Sequence, residues 1–197
     1  MDPAHSRVGF VARHAMVSKV RGSFSDFTAT AELDFEDPTR STVAVVIQAA
    51  SIDTGQAQRD EHLRTNDFFD VPSFPTWTFT STSVEAKGEA DVVLHGDLTI
   101  KGTTRPVSID VEHTGTATDA YGQQRAGFEG RATINRKDFG VAWNAPLEAG
   151  GVLVGERIVV ELDISAVKQQ FLARPATPHA VRDGRATRRA ASAGRRA

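Results

Sequence analysis

The sequence predicts an all-β domain of about eight antiparallel strands with one short helix, built as a barrel or a sandwich. Three observations predict it. Two stretches alternate apolar and polar residues with a period of two, as a strand with one wet face must. Six further strand-like runs are set apart by turn residues, among them Asp37-Pro38, Lys87-Gly88, Lys101-Gly102, Tyr121-Gly122 and Gly150-Gly151. A single segment, residues 55–64, has helical character. Short strands joined by short links favour closed or two-layered antiparallel architectures.

In chain order, residues 7–14 form the first strand, with Val8, Phe10, Ala12 and His14 on one face. Residues 27–35 alternate strictly: Phe27, Ala29, Ala31, Leu33 and Phe35 against Thr28, Thr30, Glu32 and Asp34. A strand over 42–52 follows. The helix starts where Asp53 precedes Gln56 by three residues, a capping-box-like pattern. Its residues are mostly polar, with Leu63 the main apolar contact. The segment runs into Phe68-Phe69 and is stopped by Pro72 and Pro75. Such a helix is expected to close one end of a barrel, as a lid or a flank of the mouth. Strands are then expected at 76–83, 90–101, 107–113, 127–135 and 157–167. In the fourth of these, Phe128, Gly130, Ala132 and Ile134 share a face opposite Glu129, Arg131, Thr133 and Asn135.

Composition narrows the function. The chain has 197 residues and no cysteine, so disulfides and thiolate metal sites are excluded. The residues from Phe171 onward hold seven Arg and one Asp, a charge of +6; the whole chain carries −2, so the remainder carries −8. An acidic body disfavours nucleic acid as a specific partner. The tail, rich in Ala, Arg and Pro, lacks an apolar period long enough to pack and reads as a basic, disordered extension; peripheral contact with an anionic membrane is its functional reading.

Two motifs invite a catalytic reading. "INRKDFG", residues 134–140, contains the Asp-Phe-Gly of protein kinases, but no Gly-rich loop or His-Arg-Asp motif accompanies it. Asp138 is therefore expected to order a turn, with Phe139 re-entering the interior and Gly140 at a bend. Arg59, Asp60 and His62 cluster on the helix; Asp60 and His62 are two apart and point in different directions, so a solvated face is expected. His5, His95 and His113 lie on strands without metal-ligand spacing, and no metal site or catalytic residue is expected.

Side-chain size suggests a hollow interior. Phe27-Ala29-Ala31-Leu33 and Phe128-Gly130-Ala132-Ile134 both run large, small, small, large. If these faces point inward, bulk sits near the strand ends and the middle is open. A barrel of about eight strands is wide enough to hold one ligand, and an apolar lining calls for an apolar guest. Gly and Ala also occur where sheets bend or pack closely, and that reading stays open. Each buried CH₂ contributes roughly 0.8 kcal/mol, so ten supply about 8 kcal/mol before association costs, and tail length is poorly discriminated.

Four blocks in order resemble the YceI-like family of polyisoprenoid-binding proteins: "DPAHSRVGFVARHAMVSKVRGSF", "SIDTGQAQRDEHLRTNDFFDVPSFPTWTF", "GDLTIKGTTRPVSIDV" and "AGFEGRATINRKDFGVAWN". They cover roughly residues 2–167. The resemblance implies an eight-stranded, antiparallel lipocalin-like barrel over residues 1–168, with the tail, 169–197, outside it. It implies binding and carriage of an isoprenoid or another long-chain, fatty-type lipid, not catalysis. It implies no cofactor, with an isoprenoid lipid or isoprenoid quinone as ligand.

The expected lipid-binding residues are Phe10, His14, Phe27, Ala29, Ala31, Leu33, Ile47, Leu63, Phe68, Phe69, Phe79, Leu98, Phe128, Ala132, Ile134 and Phe139, with His14 a contact for a polar head group. Two alternatives stand beside this reading. One is an enzyme acting on an isoprenoid or quinone through His14 or His62. The other is a filled-core interaction module, as a homodimer. The start, "MDPAHSRVGF", has no charged region followed by an apolar run, so a cytoplasmic location is expected. Relatives begin earlier and many carry a secretion signal; an upstream start would make the protein periplasmic or secreted.

Overall fold

The chain's strands join into one antiparallel sheet that curls around an apolar interior. The computed structural model describes residues 1–148 and 150–169; the expected tail, beyond Gln169, lies outside them. Among the described residues there are ten strands: β1 (Arg7–His14), β2 (Ser18–Phe24), β3 (Phe27–Glu32), β4 (Thr42–Gln48), β5 (Ile52–Asp53), β6 (Thr76–Ala86), β7 (Asp91–Ile100), β8 (Thr103–Thr118), β9 (Gln124–Asn135) and β10 (Val154–Val167), with α1 (Ala57–Arg64) between β5 and β6. Their order across the sheet is β3-β4-β6-β7-β8-β9-β10-β1-β2-β5. This is the expected lipocalin-like architecture, with two more strands than the eight expected.

The extra strands have a plain cause. In β2, "SKVRGSF", only Val20 and Phe24 are apolar and large, so alternation does not mark it. Pairing with β1 in register from Val8–Phe24 to His14–Ser18 makes it a strand. The two-residue β5 breaks off the expected 42–52 run because Ala49–Ser51 turns as a 3-10 helix. Leu33 and Phe35 fall beyond β3, which ends at Glu32.

The chain itself links the two sides of the sheet. From β2 it steps through Ser25 and Asp26 into β3, at the opposite edge. Ser25 N–H donates to Ser51 O at 3.2 Å, and Gln48 N–H donates to Asp26 O at 2.9 Å. Beyond this step β3 pairs only with β4, so the wall is left incomplete beside it.

Strand direction gives the barrel two different ends. The β4–β6 crossover, the β7–β8 turn and the segment after β9 meet at one, here the closed end. The β3–β4 loop, the β6–β7 turn and the β8–β9 turn lie at the other, the open end. Phe24, Phe27, Ile47, Ile52, Phe68, Trp77, Ile100, Phe139 and Val141 form the buried cluster at the closed end.

Candidate functional site

The inward faces of the strands enclose a cavity of about 1840 Å³. Its wall is built from period-two rows. On β9 the row is Ala126, Phe128, Gly130, Ala132 and Ile134; on β10 it is Ile158, Val160, Leu162, Ile164 and Ala166. The rows face each other in register, Gly130 opposite Leu162 and Ala132 opposite Val160. A Cβ on Gly130 would lie 3.0 Å from Leu162 Cδ1. Gly130 is thus small because its neighbour is large, the close-packing reading. Ala29 and Ala31 behave differently: they line the cavity on the incompletely paired β3 and keep that side thin.

Of the expected lipid-binding residues, Phe10, Phe27, Ala29, Ala31, Leu33, Ile47, Leu63, Phe68, Phe69, Phe79, Leu98, Phe128, Ala132, Ile134 and Phe139 all lie on the cavity wall. His14 does not. It is exposed at the end of β1. The β1–β10 register shifts between Ala12 and His14, so the inward row Val8-Phe10-Ala12 ends one step before it. His62, the other candidate acid or base, is also off the wall: its Nε2 meets Asp67 Oδ2 at 2.8 Å and its ring packs edge-on against Phe68 and Trp143.

The helix also departs from expectation. Its N-cap, Gln56, makes no side-chain capping bond, and Asp53 instead accepts from Gly55 N–H at 2.7 Å. Asp60 is buried, not solvated: its Oδ1 accepts from Thr54 N–H at 3.0 Å and Thr54 Oγ1 at 2.5 Å. Arg59 donates to Thr54 O and Arg64 to the carbonyls of Ala50 and Ile52. Polar straps, not an apolar stripe, hold this helix, which explains its composition. With Phe68 it seals the closed end, rather than forming a lid over the mouth.

The "INRKDFG" stretch seals the same end. Asn135 Oδ1 caps the 3-10 turn Arg136–Phe139 by accepting Lys137 N–H at 3.0 Å. The capping side chain precedes the turn, where the free N–H groups point, so the role expected of Asp138 falls to Asn135. Gly140 adopts φ 73°, a left-handed conformation that suits glycine. Phe139 is 2% exposed. Arg136 is buried and donates to the carbonyls of Gly155 (3.0 Å), Val141 (2.6 Å) and Val154 (3.3 Å). Burial pulls its guanidinium below the ordinary value, against an opposing pull from Glu156.

Polarity is concentrated at the open end. Thr116, Thr118, Gln124, Arg125, Glu32, Glu89 and Lys168 line the cavity there. Arg125 Nη1 donates to Asp2 Oδ2 at 2.5 Å and its Nε to Asp119 Oδ2 at 2.8 Å. The Arg125–Asp2 hydrogen bond, with a second from His5, lowers the Asp2 pKa from 3.8 to about 2. Among the described residues, two buried side-chain nitrogens have no hydrogen-bond partner, Trp77 Nε1 and His113 Nε2, and both residues line the cavity. From the sequence, His113 is set aside for lack of metal-ligand spacing and is not expected on the wall, though it continues the row Val107-Ile109-Val111. Sequence reasoning also passed over the β10 row, because Val159 beside it hides the alternation.

Known proteins share this build. The chain is 41% identical over 140 residues to a UPF0312 protein of Shewanella baltica, covering 71% of this chain and 73% of that one. The structure of BcnA from Burkholderia cenocepacia superposes with a TM-score of 0.74 at 24% identity, over 84% of this chain and 98% of that one. The YceI protein of Campylobacter jejuni gives a TM-score of 0.69 at 29% identity, over 86% and 97%. A polyisoprenoid binding domain from Saccharophagus degradans shares the fold at 16% identity, with a TM-score of 0.56 over 81% and 92%. The family model of the YceI-like domain matches residues 1–166.

Proposed function

The chain belongs to the YceI-like family, and from that premise we propose that it binds, carries or stores a polyisoprenoid or similar long-chain lipid inside the barrel. The observation that carries the reading is the cavity: about 1840 Å³, walled by aliphatic and aromatic rows and open at one end. A drug-sized pocket spans roughly 300–1,000 Å³, so this volume fits a long, folded or extended chain better than a compact metabolite. An apolar lining leaves polar guests without hydrogen bonds and repels them. The polyisoprenoid-binding neighbour from Saccharophagus degradans accords with this choice of guest. Peripheral contact of the basic tail with anionic lipid would bring the open end toward a membrane source, since β10 ends there.

Native mass spectrometry after gentle extraction tests the reading. The expected result is protein carrying lipid, with uptake of a prenyl-chain probe after delipidation. Protein repeatedly free of lipid and unable to take up the probe would falsify it. Ala29→Phe, which fills cavity space from the thin β3 side, should lower probe uptake several-fold with the fold intact.

A further inference from the structure

We infer that His113 is the polar anchor of the bound lipid: it hydrogen-bonds an uncharged oxygen of the head group at the open end, and Phe35 is the cover that moves aside to admit it. This rests on the lipid-binding reading above. The closed end is sealed by aromatic side chains, so an amphiphile enters tail first, and its head stays where the lining is polar.

His113 stands at that place. It is on β8, directly opposite Phe128 on β9, with ring centroids 5.2 Å apart. Its backbone N–H donates to Ala90 O at 2.9 Å, fixing it beside the β6–β7 turn. Its Nε2 is buried without a partner among the described residues, and a buried polar atom left unpaired is unfavourable. Phe35 packs on the same imidazole at 5.4 Å, yet is itself 58% exposed, on the loop after β3. Of the two flanking rings, Phe128 belongs to a paired strand and Phe35 does not. Phe35 is therefore the ring free to leave the imidazole. Trp77 Nε1 has no such cover: its ring is held edge-on by Phe24 and Phe69 at the closed end.

Charge at the open end selects a neutral head. Arg125 is engaged by Asp2 and Asp119, and Arg40 is paired with Asp34. Glu32 and Glu89 add negative charge to the lining, against Lys168. A phosphate or carboxylate would face these acids, whereas an alcohol or quinone oxygen can pair with His113 without that repulsion.

Three probes with the same four-unit prenyl chain, ending in a methyl, an alcohol or a phosphate, test this on the full-length protein. The alcohol should bind about tenfold tighter than the hydrocarbon, and tighter than the phosphate. His113→Leu should erase the alcohol's advantage and leave hydrocarbon affinity within about twofold; His113→Gln, which keeps a hydrogen-bonding group, should retain part of it. Phe35→Ala should speed alcohol uptake and keep the preference. Equal affinities for alcohol and hydrocarbon in the parent protein overturn the inference. So do a phosphate that binds tightest, a His113→Leu loss shared by both probes, or an uptake rate that Phe35→Ala leaves unchanged. Hydrocarbon binding without head preference spares the lipid-binding reading; binding of no probe at all removes both.

Discussion

The two ends of the barrel use aromatic residues in opposite ways. At the closed end Phe24, Phe27, Phe68, Trp77 and Phe139 are each at most 9% exposed and pack on one another. At the open end Phe35 is 58% exposed and Leu33 36%. Burial turns apolar area into stability, so the closed end holds the fold together. Apolar area left uncovered adds little to folding and is free to meet a ligand or a surface. A barrel that hosts a lipid needs both: one end packed as a core, the other kept loose enough to admit a chain.

The largest expected effect lies at the closed end. Phe139→Ala removes a ring that is 2% exposed and should destabilise the protein by about 3–5 kcal/mol in chemical denaturation. A loss below about 1 kcal/mol would break the comparison, because surface substitutions behave that way. Arg136→Met comes next, at roughly 2–4 kcal/mol, since it takes the guanidinium away from the carbonyls of Val141 and Gly155, while Val154 O keeps Asn144 Nδ2 at 2.7 Å. Wild-type stability in that variant would mean that water or backbone movement replaces the guanidinium.

At the open end the same kind of truncation should matter little. Phe35→Ala is expected to change stability by no more than about 0.5 kcal/mol, and a loss as large as that of Phe139→Ala would show the open end to be core. The smallest effect concerns pH. Asp2 titrates at about 2 in the folded protein against an ordinary 3.8. A folded-state value below the unfolded one means that the contact favours folding above about pH 4 and is lost as pH falls toward about 2. Arg125→Met should let the Asp2 value rise toward 3.8, read by carboxyl NMR titration; an unmoved value would detach Asp2 from Arg125.

Much of the wall was legible in the sequence. Rows such as Phe128 to Ile134 announce an inward face, because a strand's side chains alternate and half-burial imprints that period on composition. Of the expected lipid-binding residues, those on strands, such as Phe10, Ala29, Phe79, Leu98 and Ala132, lie on the wall for this reason. His14 is the exception, since a register shift in pairing with β10 leaves no mark on the strand's own alternation. Helix α1 was legible as a helix that closes one end of the barrel, but neither the end it closes nor the way it is held was. Its apolar content is low, and it is held by Arg59 and Asp60 bonding Thr54 just before the helix and by Arg64 reaching back to the carbonyls of Ala50 and Ile52, contacts that hydrophobic periodicity does not record.

By itself, then, the sequence determined the all-β class, the inward rows, the turn positions and the family. Tertiary structure alone decided which end is closed, that the polar strand β2 pairs at all, that Gly130 yields to Leu162, and that Phe35 and Phe128 flank His113. The division has one physical reason. Local periodicity reports a residue's average exposure, which the chain must encode position by position. Pairing register, closure and the neighbours of a buried polar atom depend on contacts between residues tens of positions apart, as with Phe35 and His113, and no local pattern records them.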